Sequence, residues 1–160
     1  MKHWILFLSL LFLGGCALKP LIYETSTVHL TLKTPQIRLS DMAFVRHSAT
    51  TTNIQVFTAG QVVLDLVVGD SLCLNGTCYD KTAFNRHFFN APHYPELLEE
   101  ILLGRPIYES RGLERNGQGF SQHFSLRGRE IAYEVTPAYT LFRDTQRGIL
   151  MRMASPKENK

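Results

Sequence analysis

The chain has 160 residues, and 17 Lys and Arg against 14 Asp and Glu give it a formal net charge of +3 at pH 7. That length supports one domain with a real core and excludes two. The excess charge is small, and the arginines of the second half are scattered rather than clustered. From residue 105 onward 10 basic residues, eight of them Arg, face 6 acidic ones, against 6 and 8 between residues 16 and 104. A solvated strand surface explains this, and a face turned to phosphate-bearing lipid is the other option it leaves open.

In chain order, Lys2 and His3 make a short basic start, and Trp4 to Leu13 is apolar apart from Ser9. About ten apolar residues cannot cross a bilayer core of roughly 30 Å, which takes about 20 as a helix. They have the proportions of a secretory leader. Leu13-Gly14-Gly15-Cys16 closes the run with small residues and a cysteine, the lipobox pattern at which a leader is cut and the cysteine acylated. Residues 1–15 thus resemble a bacterial lipoprotein signal peptide. The resemblance implies a diacylglycerol thioether on Cys16 and a further acyl chain on its amine, and two or three chains anchor firmly at about 0.8 kcal/mol per buried methylene. Ala17 and Leu18 follow Cys16, with none of the aspartate that holds such proteins in the inner membrane. The expected address is the periplasmic face of the outer membrane. No nucleic-acid partner is expected, on the ground of the envelope compartment that the leader implies. No later apolar stretch reaches 18 residues, so the lipid is the expected anchor.

Residues 16–25 read as a lipidated tether and 26–154 as one periplasmic domain. Val28, Leu30 and Leu32 alternate with polar residues, a half-buried strand that Pro35 ends. Ile37 to Val45 continues as a second strand, with a bulge expected near Ser40-Asp41. Ile54 to Phe57 leads to a turn at Ala59-Gly60. Val62 to Val68 is almost continuously β-branched, which predicts a central strand covered on both faces; Asp65 interrupts it and is expected on the outer side. Leu72 to Tyr79 is a hairpin with Asn75-Gly76 at its tip, where both residues tolerate the positive φ of a type I′ turn.

The period then changes. Asp80 is placed to cap a short helix from Lys81 to about Phe89, with Phe84 and Phe88 on one face. A second helix is expected from Pro95 to Leu103, striped by Leu97, Leu98, Ile101 and Leu102 and closed by Gly104 and Pro106. Residues 109–119 are polar and glycine-rich and read as a mobile loop. Strands resume at Phe120 to Leu126, then Ile131 to Val135, Tyr139 to Phe142 and Ile149 to Met153. Residues 155–160 form a polar tail. Five or six strands, two helices, then three or four strands predict an α+β fold: a single curved antiparallel sheet, half-barrel-like, with two short helices packed on one face.

In the hairpin, Cys73 falls opposite Cys78 in a non-hydrogen-bonded pair, where Cα atoms lie about 4.5 Å apart. An oxidising periplasm makes this a disulfide staple. A metal pair would need further ligands, and a redox pair would need the Cys-x-x-Cys spacing at a helix start. The chain carries no Gly-x-Ser-x-Gly and no His-Glu-x-x-His. His29, His47, His87, His93 and His123 are dispersed. No catalytic residue, metal ligand or cofactor beyond the covalent lipid on Cys16 is expected, and the protein reads as a non-enzyme.

The order of strands, paired helices and returning strands on an outer-membrane lipid anchor resembles the LolB family of outer-membrane lipoprotein receptors. Tyr94 to Ile107, ending Leu103-Gly104-Arg105-Pro106-Ile107, is similar to that family's helix and its Leu-Gly-x-Pro close. The resemblance implies a concave sheet that holds lipid or lipoprotein acyl chains received from a periplasmic carrier. Phe84, Phe88, Leu98 and Leu102 are then the cavity residues. The other expectation is a non-enzymatic scaffold that holds an envelope complex to the membrane through an exposed sheet edge.

Overall fold

The computed structural model describes residues 24–156; the leader, Cys16, most of the tether and the last four residues lie outside them. Alternation along the chain resolves into eleven antiparallel strands: β1 (Glu24–Lys33), β2 (Arg38–His47), β3 (Thr52–Thr58), β4 (Gln61–Val68), β5 (Leu72–Leu74), β6 (Thr77–Tyr79), β7 (Leu113–Asn116), β8 (Gly119–Leu126), β9 (Arg129–Val135), β10 (Tyr139–Asp144) and β11 (Ile149–Ala154). They form one sheet in the order β6-β5-β4-β3-β2-β1-β11-β10-β9-β8-β7. Two meanders, β1–β6 and β7–β11, therefore meet where the first and last strands pair, Leu30 opposite Met153 and Leu32 opposite Met151. Three hairpin tips, Ala59-Gly60, Asn75-Gly76 and Arg127-Gly128, have positive φ at both residues, the backbone twist that two-residue hairpins require.

The link between β6 and β7 carries the helices: α1 (Lys81–Phe88), α2 (Leu97–Leu102) and a single 3-10 turn, Tyr108–Ser110. Asp80 caps α1, its carboxylate accepting the Ala83 amide at 2.8 Å.

The α+β class expected from the sequence is overturned. The architecture is a single large antiparallel sheet of eleven strands, with helices of 8 and 6 residues confined to one link. Part of the discrepancy lies in residues 109–119. They do not form a mobile loop: Leu113–Asn116 pairs with β8, and Gly117-Gln118 is a hairpin tip. Glycine is required at 119 for a different reason, since a Cβ there would lie 2.2 Å from the Val135 carbonyl oxygen. Two further expectations change. The bulge falls between Val56 and Phe57, not near Ser40-Asp41. β4 is covered on one face only: Leu64, Leu66 and Val68 are buried, while Val62 and Val63 are 48% and 46% exposed. Asp65 faces outward and accepts from the Asn53 amide at 2.7 Å.

One face of the sheet is buried in every strand except the edge strands β6 and β7. Laid flat, eleven strands at about 4.8 Å spacing would span about 50 Å. The helices are about 12 and 9 Å long and roughly 10 Å across, far too small to cover that width. The strands' own inward residues therefore make up most of the core, and Phe84, Phe88, Leu97, Leu98, Ile101 and Leu102 of the helices fill part of it. A chain of rings crosses this core. Tyr79 on β6 contacts Phe84, Phe84 stacks on Phe88, Phe88 meets Phe89, and Phe89 reaches Phe142 on β10, in steps of 6.2, 5.0, 5.0 and 5.9 Å.

Candidate functional site

The apolar interior is the first candidate. Phe84, Phe88, Leu98 and Leu102 all belong to one buried cluster with Leu30, Leu32, Ile54, Tyr133 and Phe142. Phe84, Phe88 and Leu98 are fully enclosed; Leu102 retains 7% exposure and borders a cleft of about 210 Å³. The register explains that cleft. β11 ends at Ala154, opposite His29, so residues 24–28 of β1 pair with β2 alone. Their free edge faces the turn between β9 and β10. Ser26, Val28, Val45, His47, Thr136, Thr140 and Met153 join Leu102 around the opening. Val28 and Val45 share the strand parity of the buried Leu30 and Ala43, so the opening borders the buried face of the sheet.

A second cleft, of about 340 Å³, adjoins the first and shares His47 with it. Its wall is polar: the Ser48–Thr51 turn, Asp70, Lys81, Glu99 and Arg105. The turn is internally braced. Ser48 Oγ accepts the Thr50 and Thr51 amides at 3.3 and 3.0 Å, and His47 Nδ1 is 3.0 Å from Thr52 Oγ1. Lys81 Nζ donates to Glu99 at 3.0 Å, which ties α1 to α2.

Beside the 3-10 turn lies a buried polar network. Arg129 donates to Asp144 at 2.6 Å, an ion pair almost wholly out of solvent. His93 Nδ1 hydrogen-bonds the Tyr108 hydroxyl, while its Nε2 is buried without a partner. Burial, helped by the positive fields of Arg129 and Arg147, lowers the His93 pKa to about 4. Burial likewise raises Tyr108 to about 12. Gln122 clamps the backbone on either side of the turn, accepting from Ile107 N and donating to the Ile107 and Arg111 carbonyls, each at 2.8 Å. That clamp holds Tyr108, Glu109 and Ser110 at φ of 47, 54 and 64°, three successive left-handed residues without a glycine. Tyr94 donates to Glu100 and accepts the Tyr108 amide, and the three residues wall an open cleft of about 880 Å³ with Glu96, Glu109 and Arg111.

The sequence reading missed this network, although strand parity carries its signature. Gln122 lies between Phe120 and Phe124, Arg129 two residues before Ile131, and Asp144 two after Phe142, all at inward positions. Cys73 and Cys78 are joined as expected, with Cα atoms 3.9 Å apart in directly paired positions. Cys16 falls outside the described residues. The dispersed histidines do not converge: among the described residues no group of three His, Cys, Asp or Glu is placed to hold a metal ion.

Among the described residues, no helix is long and apolar enough to cross a membrane. Compared with models of known families and with curated proteins, the chain matches none.

Proposed function

We propose that this chain is a lipoprotein anchored through Cys16 at the periplasmic face of the outer membrane, and that its domain takes up the acyl chains of lipids or lipoproteins, as in the LolB-like role its sequence resembles. The observation that carries the reading is the opening beside Leu102. It borders the buried Leu102 and the inward-facing Val28 and Val45, and it lies at the end of the sheet where β1 begins. Only seven residues separate Cys16 from Glu24. Fully extended, they and their flanking bonds reach roughly 28 Å. The opening therefore stays close to the membrane that the lipid grips. Its lining mixes apolar Val28, Val45, Leu102 and Met153 with polar Ser26, His47, Thr136 and Thr140, and an amphiphile presents both kinds of surface.

The test is uptake of a fluorescent fatty acid by the full chain carrying Cys16→Ala. Uptake that Leu102→Glu abolishes, while the protein still melts cooperatively, is the expected outcome. A wild-type interior that takes up no fatty acid, together with a Leu102→Glu protein that simply unfolds, refutes it. That result favours the second reading, a non-enzymatic scaffold of an envelope complex. The observation on its side is an exposed apolar group, Met42, Phe44, Val62 and Val63, with Phe44 edge-on to Phe57 at 5.5 Å.

A further inference from the structure

We infer that the polar cleft next to the opening is a head-group subsite, and that the lipid it selects is a phospholipid with a zwitterionic, ethanolamine-type head. This rests on the acyl-chain reading above and adds the identity of the polar end. The two clefts share His47 as a wall residue, and Leu102 and Leu103 at the end of α2 wall one cleft each. An opening of mixed lining that borders the buried Leu102, beside a charged cleft, suits an amphiphile with its chain inward.

The charges set the choice of head. The polar cleft holds two cations, Lys81 and Arg105, and two carboxylates, Asp70 and Glu99. Lys81 and Glu99 are already paired; among the described residues neither Arg105 nor Asp70 forms an ion pair, and both are exposed. Lys81 has three donors, of which the contact with Glu99 takes one. A phosphate between Arg105 and Lys81 would gain charge-assisted hydrogen bonds from both. An anionic head without an amine would occupy the two cations and leave Asp70 without a counter-charge. An ammonium on the same head supplies that offset by meeting Asp70. The residues Ser48, Thr50 and Thr51 also line the polar cleft and offer hydroxyls to glycerol or ester oxygens.

The experiment loads the full chain carrying Cys16→Ala with a fluorescent fatty acid and displaces it with water-soluble, short-chain phospholipids. Dihexanoyl phosphatidylethanolamine is expected to displace the probe at roughly tenfold lower concentration than dihexanoyl phosphatidylglycerol, about 1.4 kcal/mol. Arg105→Gln should bring that ratio close to one, and Arg105→Lys should restore much of it. The inference is overturned if the wild-type ratio is already close to one, if the glycerol head is preferred, or if Arg105→Gln leaves the ratio unchanged. A diacylated peptide without phosphate that displaces the probe as well as the ethanolamine lipid also overturns it, and points to lipoprotein as the cargo. In all of these cases fatty-acid uptake survives and the acyl-chain reading stands. Failure of the wild type to load the probe brings down that reading and this inference with it.

Discussion

Leu98 and Leu102 lie four residues apart on α2, both buried, yet only Leu102 borders the opening. That difference makes them a matched pair for asking whether the opening belongs to a working site. Leu→Ala in a core costs about 2.7–5 kcal/mol, a transfer contribution plus about 24 cal/mol for each Å³ of void left behind. At Leu98 the void is enclosed on every side, so the cost should sit near the top of that range, about 4 kcal/mol. At Leu102 the removed volume joins space already open to solvent, so the void contribution largely disappears and about 2–3 kcal/mol remains. Each kcal/mol lowers the melting temperature of a domain of this size by about 4 °C. Leu98→Ala should therefore melt several degrees below Leu102→Ala in calorimetry or in a urea titration. Leu102→Ala should also load a fatty acid faster than wild type, because it widens the entry. Equal losses at both positions, with unchanged loading, would mean that Leu102 packs like any other core residue and that the opening leads nowhere.

Other outcomes follow from single features. His93 is held neutral, so the unfolded chain binds its proton first: stability is complete above about pH 6.5, falls as the pH drops towards 4, and loses about 3 kcal/mol in all. A urea midpoint measured against pH should show this decline, and His93→Gln should flatten it. Replacing Cys73 and Cys78 with serine should lower stability by less than the usual 2–4 kcal/mol, because the bridged residues are only 5 apart in sequence; quantitative thiol labelling of protein taken from the periplasm should find neither cysteine free. Cys16→Ser should move the protein out of washed membranes, and fractionation that leaves it there would show an anchor other than lipid.

The parts of the fold legible in the sequence were those with a strong local signal. Asn75-Gly76 placed the disulfide hairpin because few residue pairs accept two positive φ values in succession. Asp80 placed the start of α1, and the spacing of Leu97, Leu98, Ile101 and Leu102 placed the buried stripe of α2. The class was misjudged because weight was given to the helices, which total few residues, and withheld from Leu113–Asn116, whose partners on β8 lie beyond a glycine turn that reads as a loop. An edge strand with three exposed positions has no alternation to detect. β4 misled in the opposite direction. Its valine run suggests burial on both faces, but β-branched residues also suit an outward position on a pleated surface, and Val62 and Val63 take that role. Of the four residues expected to line a cavity, Leu102 alone borders an opening, and Phe84, Phe88 and Leu98 are packed in the core. The opening itself arises from the stagger between β1 and β11, which pair across the whole length of the chain, and register at that distance leaves no local mark.

The core is filled, yet the contacts that hold the helices in it are of a kind that an apolar ligand can exchange. Helices of 8 and 6 residues have too few internal hydrogen bonds to persist alone in water, so their order comes from the apolar face beneath them. They are also tied to each other. Lys81 bonds Glu99, and the buried Asn85 donates to the Tyr94 and Pro95 carbonyls at 2.6 and 3.3 Å. By contrast, among the described residues the polar contact between α2 and the sheet is one long hydrogen bond, Tyr133 hydroxyl to Glu100 carbonyl at 3.4 Å. Hydrophobic contact is non-directional and follows the area removed from water. An acyl chain that entered beside Leu102 and displaced part of the stripe would replace one apolar surface with another, and the directional bonds within the helix pair would survive. A site built on directional bonds to the sheet would lose them on opening. Here the strong polar constraints sit within the helix pair and at the Gln122 clamp around the 3-10 turn, leaving the contact between helix stripe and sheet as the one an apolar ligand can exchange at least cost.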